Sequence, residues 1–201
     1  MAPKASRAQT TVTFDDRLPN IILGPYDGLY WENFYVGNIY TLPSPSGYQH
    51  AAVSLPNIAY NGGGTLASML SYLPEAPPSQ IPTFTLNSGY FTAAWNNGLL
   101  LTVTGYDQST QLFQEFATLN TSGPSFLTFD WTGLTRVDFV STGGTPHYNF
   151  NATQFAMDNV TINGPVISSV TPEPASLTLL VTGLLGVFGA ARRKRKAAGA
   201  A

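Results

Sequence analysis

The sequence predicts an all-β body, an antiparallel β-sandwich or jelly roll, followed by a linker and a single C-terminal apolar helix. Three observations predict it. Charged residues make up only 10% of the 201-residue chain and hydrophobic residues 43%, against about a quarter charged in ordinary soluble domains. That balance gives broad uncharged surfaces and too much apolar area for a disordered chain. Nineteen glycines and fifteen prolines supply many turns. Between Gln9 and Asn163, short β-branched and aromatic runs alternate with turn signals, and no amphipathic helical stretch interrupts them.

Taken in order, the strand candidates are Thr10–Phe14, Leu29–Val36, Gln49–Ser54, Thr65–Leu70, Thr83–Leu86, Tyr90–Trp95, Leu99–Tyr106, Leu112–Leu119, Ser125–Trp131, Arg136–Ser141 and Gln154–Ile162. Leu66–Leu73 also reads as a short helix. Asp27-Gly28, Asn61-Gly62 and Asn97-Gly98 offer the positive φ that tight turns require. Strict alternation places Trp31 and Phe34 on opposite faces of their strand. Ten or eleven short strands at this spacing give the sandwich.

The chain has no cysteine, which removes disulfides, thiolate metal sites and thiol nucleophiles. Through Thr171 it has four basic residues (Lys4, Arg7, Arg17, Arg136) and ten acidic ones. An acidic body without a basic patch excludes nucleic acid as a partner. Five of the nine basic residues stand together as Arg192, Arg193, Lys194, Arg195 and Lys196.

That basic block follows seventeen uncharged residues, 175–191. As a helix they rise about 25 Å, at the short end of what spans a bilayer core. Gly183, Gly186 and Gly189 weaken a soluble helix but are common in membrane helices. Read this way, 175–191 is a transmembrane helix and 192–201 a cytoplasmic tail, with the body on the outer side. A buried core helix would show a polar face, and this segment has none. Upstream, Thr171-Pro172-Glu173-Pro174 closes a linker over 164–174 and holds it extended.

This three-part tail resembles the PEP-CTERM sorting signal of Gram-negative bacteria that make extracellular polysaccharide. The resemblance implies a transient inner-membrane anchor, recognition by an exosortase, cleavage near Pro172, Glu173 and Pro174, and transfer to the cell surface or matrix. An export signal is then expected at the other end. Met1-Ala2-Pro3-Lys4 leads directly into polar residues, without an apolar run. Ser6-Arg7-Ala8 before Gln9 reads as the small-x-small end of a signal peptide, so residues 1–8 are taken as its remnant.

In the body, Thr13-Phe14-Asp15-Asp16, Trp31-Glu32-Asn33-Phe34-Tyr35-Val36 and Phe155-Ala156-Met157-Asp158-Asn159-Val160 are similar to jelly-roll domains that precede such signals. Those in turn resemble carbohydrate-binding modules of the galactose-binding-like fold. The resemblance implies that first and last strands are neighbours, which would gather Asp15, Asp16, Asp158 and Asn159 into a structural calcium site. Calcium takes six to eight hard oxygens, and backbone carbonyls complete such sets. The same residues also read as a turn cap (Asp15, Asp16) and an acceptor of backbone N–H bonds (Asp158).

Sugar binding is the second candidate, because an exposed aromatic ring covers the apolar side of a pyranose. The aromatics to choose from include Tyr26, Tyr30, Trp31, Phe34, Tyr35, Tyr90, Trp95, Tyr106, Trp131 and Tyr148. Trp95 and Tyr148 are the preferred pair, the latter in the glycine-rich loop 143–149. Enzyme motifs are sparse. No Gly-x-Ser-x-Gly elbow occurs, His50 and His147 lack a metal-ligand frame, and Gly62-Gly63-Gly64-Thr65 lacks a phosphate-loop lysine. Two functions follow. The first is a non-catalytic surface or matrix protein that holds polysaccharide; the alternative is a secreted polysaccharide hydrolase or lyase using carboxylates such as Glu115 with Asp130 or Asp138.

Overall fold

The β-rich composition resolves into thirteen strands and two short 3-10 turns in a computed structural model, which describes residues 8–71 and 81–163. These residues belong to one compact unit, Met1–Val166; the unit Ile167–Ala201 lies outside the described residues. With it lie the linker and helix assigned to 164–191, the Pro172-Glu173-Pro174 motif and the basic block 192–196. The proposed signal-peptide remnant also falls outside, except for Ala8. Among the described residues no helix is long and apolar enough to cross a membrane.

The strands are β1 (Thr10–Val12), β2 (Ile22–Tyr26), β3 (Leu29–Asn38), β4 (Asn57–Asn61), β5 (Ala67–Ser71), β6 (Phe84–Ala93), β7 (Asn96–Asn97), β8 (Leu99–Asp107), β9 (Thr110–Leu119), β10 (Ser125–Leu134), β11 (Arg136–Thr142), β12 (Thr145–Pro146) and β13 (Phe155–Ile162). All ladders are antiparallel. Eleven strands join in the order β10-β6-β13-β4-β3-β5-β11-β8-β9, with β1 beside β13, β2 beside β3, and β7-β12 as a separate pair. First and last strands are indeed neighbours, with Thr10 opposite Ile162 and Val12 opposite Val160.

The path folds over itself because β4 and β5 run consecutively along one side of β3 yet pair elsewhere with different partners. Asn57–Asn61 lies opposite Asn38–Phe34, and Ser68–Ser71 lies opposite Glu32–Leu29. On their other sides β4 meets β13 while β5 meets β11. This ribbon therefore carries the chain from one layer to the other. The residues between β4 and β5 bulge out at Gly62–Gly64, and Asn33 spans the gap. Its Nδ2 donates to Gly62 O at 3.2 Å, Thr65 Oγ1 at 2.9 Å and Leu66 O at 2.8 Å.

Asn33 has φ 56°, a left-handed conformation that asparagine tolerates better than most residues. It inserts one residue into β3 and resets the alternation. Trp31 and Phe34, expected on opposite faces, therefore both point inward, fully buried, with ring centroids 5.6 Å apart. This corrects the strict period-two reading. Phe34 of β3, Phe91 of β6, Phe139 of β11 and Phe155 of β13 meet between the layers at centroid separations of 5.8–6.4 Å. Burying a phenylalanine is worth about 1.5–3 kcal/mol, so this cluster is a main anchor of the sandwich.

A second, smaller core lies on the outer side of the β4-β13-β6 layer. There Ile39, Tyr48, Ala51, Ile58, Ala94, Trp95 and Ala156 pack together, with Leu42 and Tyr60 against them. The segment 39–56 forms its cover. Within that cover the expected strand Gln49–Ser54 is instead a 3-10 turn, Gly47–His50, followed by irregular chain. Ser46 and Gln49 form a reciprocal capping box, with Ser46 N donating to Gln49 Oε1 at 2.8 Å, and this local bonding outcompetes strand pairing. The ambiguous stretch from Leu66 is strand β5, not helix. Two expected strands, Thr83–Leu86 and Tyr90–Trp95, merge into β6.

Candidate functional site

Asp158 leads the sequence-based site, and its surroundings are dictated by the cover. The residue is buried in β13. Its Oδ2 accepts from Val53 N at 2.6 Å and Ser54 N at 2.8 Å, and its Oδ1 accepts from Asn159 N at 2.7 Å. Ser54 Oγ donates to Asn159 Oδ1 at 2.8 Å. Burial pushes the Asp158 carboxyl up to about 6, against the three backbone N–H donors and with a smaller push from the charge of Asp15. The side chain thus fastens the segment 39–56 to the sheet beneath it.

Asp15 and Asp16 follow β1, where Phe14 with φ 64° turns the chain away. Asp15 Oδ1 accepts from Asn57 N at 2.9 Å. Asp16 points elsewhere and accepts from Tyr26 Oη at 2.5 Å, while the Arg17 guanidinium lies 4.9 Å from the Tyr26 ring centre. Burial, followed by the bond to Asp16, pushes the Tyr26 hydroxyl up. The topology therefore brings Asp15 within electrostatic reach of Asp158 and leaves Asp16 in a separate cluster. Among the described residues no three of His, Cys, Asp and Glu come together as metal ligands would. The oxygens of Asp158 take the N–H donors of Val53, Ser54 and Asn159.

The preferred aromatics divide in the same way. Trp95 is 8% exposed. Tyr48 stands edge-on to its ring at 5.7 Å and Phe150 lies at 4.5 Å, so little ring face remains for a sugar. Tyr148 is half-buried at φ 48° with the His147 ring 4.3 Å from its own. Of the carboxylates considered for hydrolysis, Asp130 and Asp138 are separately engaged. Asp130 accepts from Asn87 Nδ2 at 2.9 Å; Asp138 accepts from Ser68 Oγ at 2.8 Å and pairs with Arg136 at 3.1 Å; Glu115 sits exposed on β9.

A different aromatic pair forms a recess. Tyr35 of β3 and Tyr60 of β4 are opposite one another in the ladder, and their rings stack at 5.8 Å with an interplanar angle of 24°. Both are half-buried. With Asn33, Gly62 and Gly63 they line a cleft of about 190 Å³. A Cβ on Gly62 would stand 2.5 Å from both the Tyr35 ring and Asn33 Oδ1, so a larger residue there would push those side chains aside. Gly63, at φ 62°, has nothing within 4 Å of the Cβ it lacks, so the backbone at the mouth is bare. Tyr60 also leans on Tyr48 at 5.4 Å, which ties the cleft to the cover that Asp158 fastens. Tyr35 stood among the candidate aromatics, but Tyr60 did not. Cross-strand pairing of β4 with β3 was the missing signal.

A jelly-roll-type β-sandwich with a small aromatic cleft and no assembled catalytic constellation among the described residues is the class of body these observations define. Residues 170–195 match the model of the PEP-CTERM protein-sorting motif. No curated protein matches the chain. Among solved structures, the chain is similar to one described as TmCBM61 in complex with beta-1,4-galactotriose, at 8% identity and TM-score 0.36, over 69% of this chain and 90% of that one. It is also similar to a family 16 carbohydrate binding module-2, at 17% identity and TM-score 0.30, over 56% of this chain and 79% of the other.

Proposed function

We propose that this chain is an exported protein, sorted to the cell envelope or surface through its C-terminal motif and processed there by an exosortase, whose β-sandwich holds polysaccharide without cleaving it. The sorting motif at residues 170–195 carries the destination. The stacked Tyr35–Tyr60 pair carries the binding role: two aromatic rings beside side-chain-free backbone offer a surface for the apolar side of a pyranose. The engagement of Asp130 and Asp138 by neighbouring side chains speaks for a non-catalytic body.

The test is incubation of the protein with a panel of polysaccharides, measuring bound protein and reducing ends together. Retention on at least one polysaccharide without new reducing ends or oligosaccharides is the expected result. Release of oligosaccharides would move the protein to the hydrolase or lyase class, and retention on none would remove the binding role.

A further inference from the structure

The charge of the body says which polysaccharides the cleft should accept. Across the described residues there are two arginines, Arg17 and Arg136, against nine carboxylates and no lysine. Both arginines are committed to other contacts. Arg17 lies over the Tyr26 ring, and Arg136 lies 4.2 Å from the Tyr106 ring centre and 3.1 Å from Asp138. The residues that line the cleft are two tyrosines, an asparagine and two glycines, none of them charged.

The polar group in that lining is held in one orientation. The three acceptors around Asn33 Nδ2 fix the amide, so Oδ1 faces Gly62. A hydroxyl is a suitable partner for such an oxygen, whereas a carboxylate or sulfate would bring acceptors to an acceptor. The volume, about 190 Å³, is below the roughly 300–1,000 Å³ of sites that enclose a whole small molecule. It suits one ring of a polymer that continues across the surface.

We infer that the Tyr35–Tyr60 cleft is a subsite for one pyranose ring of a neutral polysaccharide, and that it discriminates against polyuronates and sulfated polymers. The inference rests on the polysaccharide-holding role proposed above and names its ligand class and its location. A polyanion would meet uncompensated negative charge from a body with nine carboxylates. A neutral chain meets only rings, backbone and one amide oxygen.

Titration calorimetry in a mild non-ionic detergent tests this on the full chain with Arg192, Arg193, Lys194, Arg195 and Lys196 replaced by glutamine, so that the tail offers a polyanion no cations, with a soluble neutral β-glucan, a soluble neutral galactan and a polyuronate as probes. The expected result is binding to a neutral polymer, unchanged by added salt because no ion pair is involved, and no binding to the polyuronate. Tyr35→Ala should weaken neutral binding about tenfold. Gly62→Ala, which displaces the Tyr35 ring without removing it, should weaken it as well; circular dichroism checks that each variant is folded. Polyuronate binding at comparable affinity, or neutral binding that salt abolishes, would overturn the inference and leave the polysaccharide role standing. Neutral binding untouched in folded Tyr35→Ala and Gly62→Ala would place the site elsewhere, again overturning only the inference. Absence of binding to all three probes would sink both.

Discussion

Replacing Asp158 by asparagine keeps the shape of the side chain and removes its charge, so it separates two effects that meet at one buried carboxyl. The amide must present an N–H group to one of the backbone donors from Val53, Ser54 or Asn159. An unsatisfied donor of this kind costs about 1–3 kcal/mol. The charge adds a pH dependence of known sign. The folded-state pKa of about 6 lies above the ordinary 3.8, so the wild-type contribution is complete below about pH 4 and is lost as pH rises through 6. Between about pH 7 and pH 4.5 the linkage amounts to ~2 kcal/mol gained by the wild type on acidification. The variant lacks that gain. Urea unfolding of both proteins at the two pH values gives the answer, since the difference between them cancels the other carboxylates. The stability gap is expected to widen by ~2 kcal/mol at the lower pH. A gap that stays constant or narrows would refute the reasoning, because it would mean that the three N–H donors outweigh burial and favour the charged form.

Asn33→Ala should destabilise the body by about 2–3 kcal/mol, from three lost amide bonds and a left-handed φ that alanine adopts poorly. Asn33→Gly should recover about 1 kcal/mol of this in the same unfolding assay, since only the strain is relieved. Phe34→Ala should cost about 3–5 kcal/mol, read as a lower urea midpoint with little change in slope. With the Asp158 oxygens taken by backbone donors, the melting temperature should be indifferent to EDTA; a drop of several degrees would place calcium in the Asp15–Asp158 region. Deleting residues 170–195 should abolish surface display in cell fractionation while leaving the folded body intact.

Much of this fold was legible because its strands announce themselves. β8, β9, β10, β11 and β13 are β-branched or aromatic runs bounded by Gly, Pro and Asn, and each lies where the sequence placed it. β2 escaped because Gly24 and Pro25 fall inside it; as an edge strand paired with β3 alone it tolerates a residue without an N–H donor. β4 escaped because Asn57-Ile58-Ala59-Tyr60-Asn61 is short and framed by Pro56 and Gly62. Its strand state comes from partners on both sides, β3 and β13. The Asp27-Gly28 turn was readable from its residues, and both have positive φ in the hairpin that joins β2 to β3. The candidate site was less readable. The resemblance to jelly-roll domains implied that Asp15 and Asp158 approach, but not that Val53 and Ser54 would occupy the carboxylate first. Tyr35 and Tyr60 become a pair only through the register of β3 with β4, which the bulge at Asn33 sets.

The position of β13 has a mechanical consequence for any load that enters the body through Asn163. Asn163 is the residue after β13. There the chain is clamped in both directions: Asn163 N donates to Thr85 O at 2.9 Å, and Thr85 N donates to Asn163 Oδ1 at 3.2 Å. Beyond the clamp, β13 lies between β6 on one side and β4 with β1 on the other. A pull along its axis loads those ladders in parallel, so many bonds share the force and none is peeled open first. β13 is thus held by ladder partners along both of its edges.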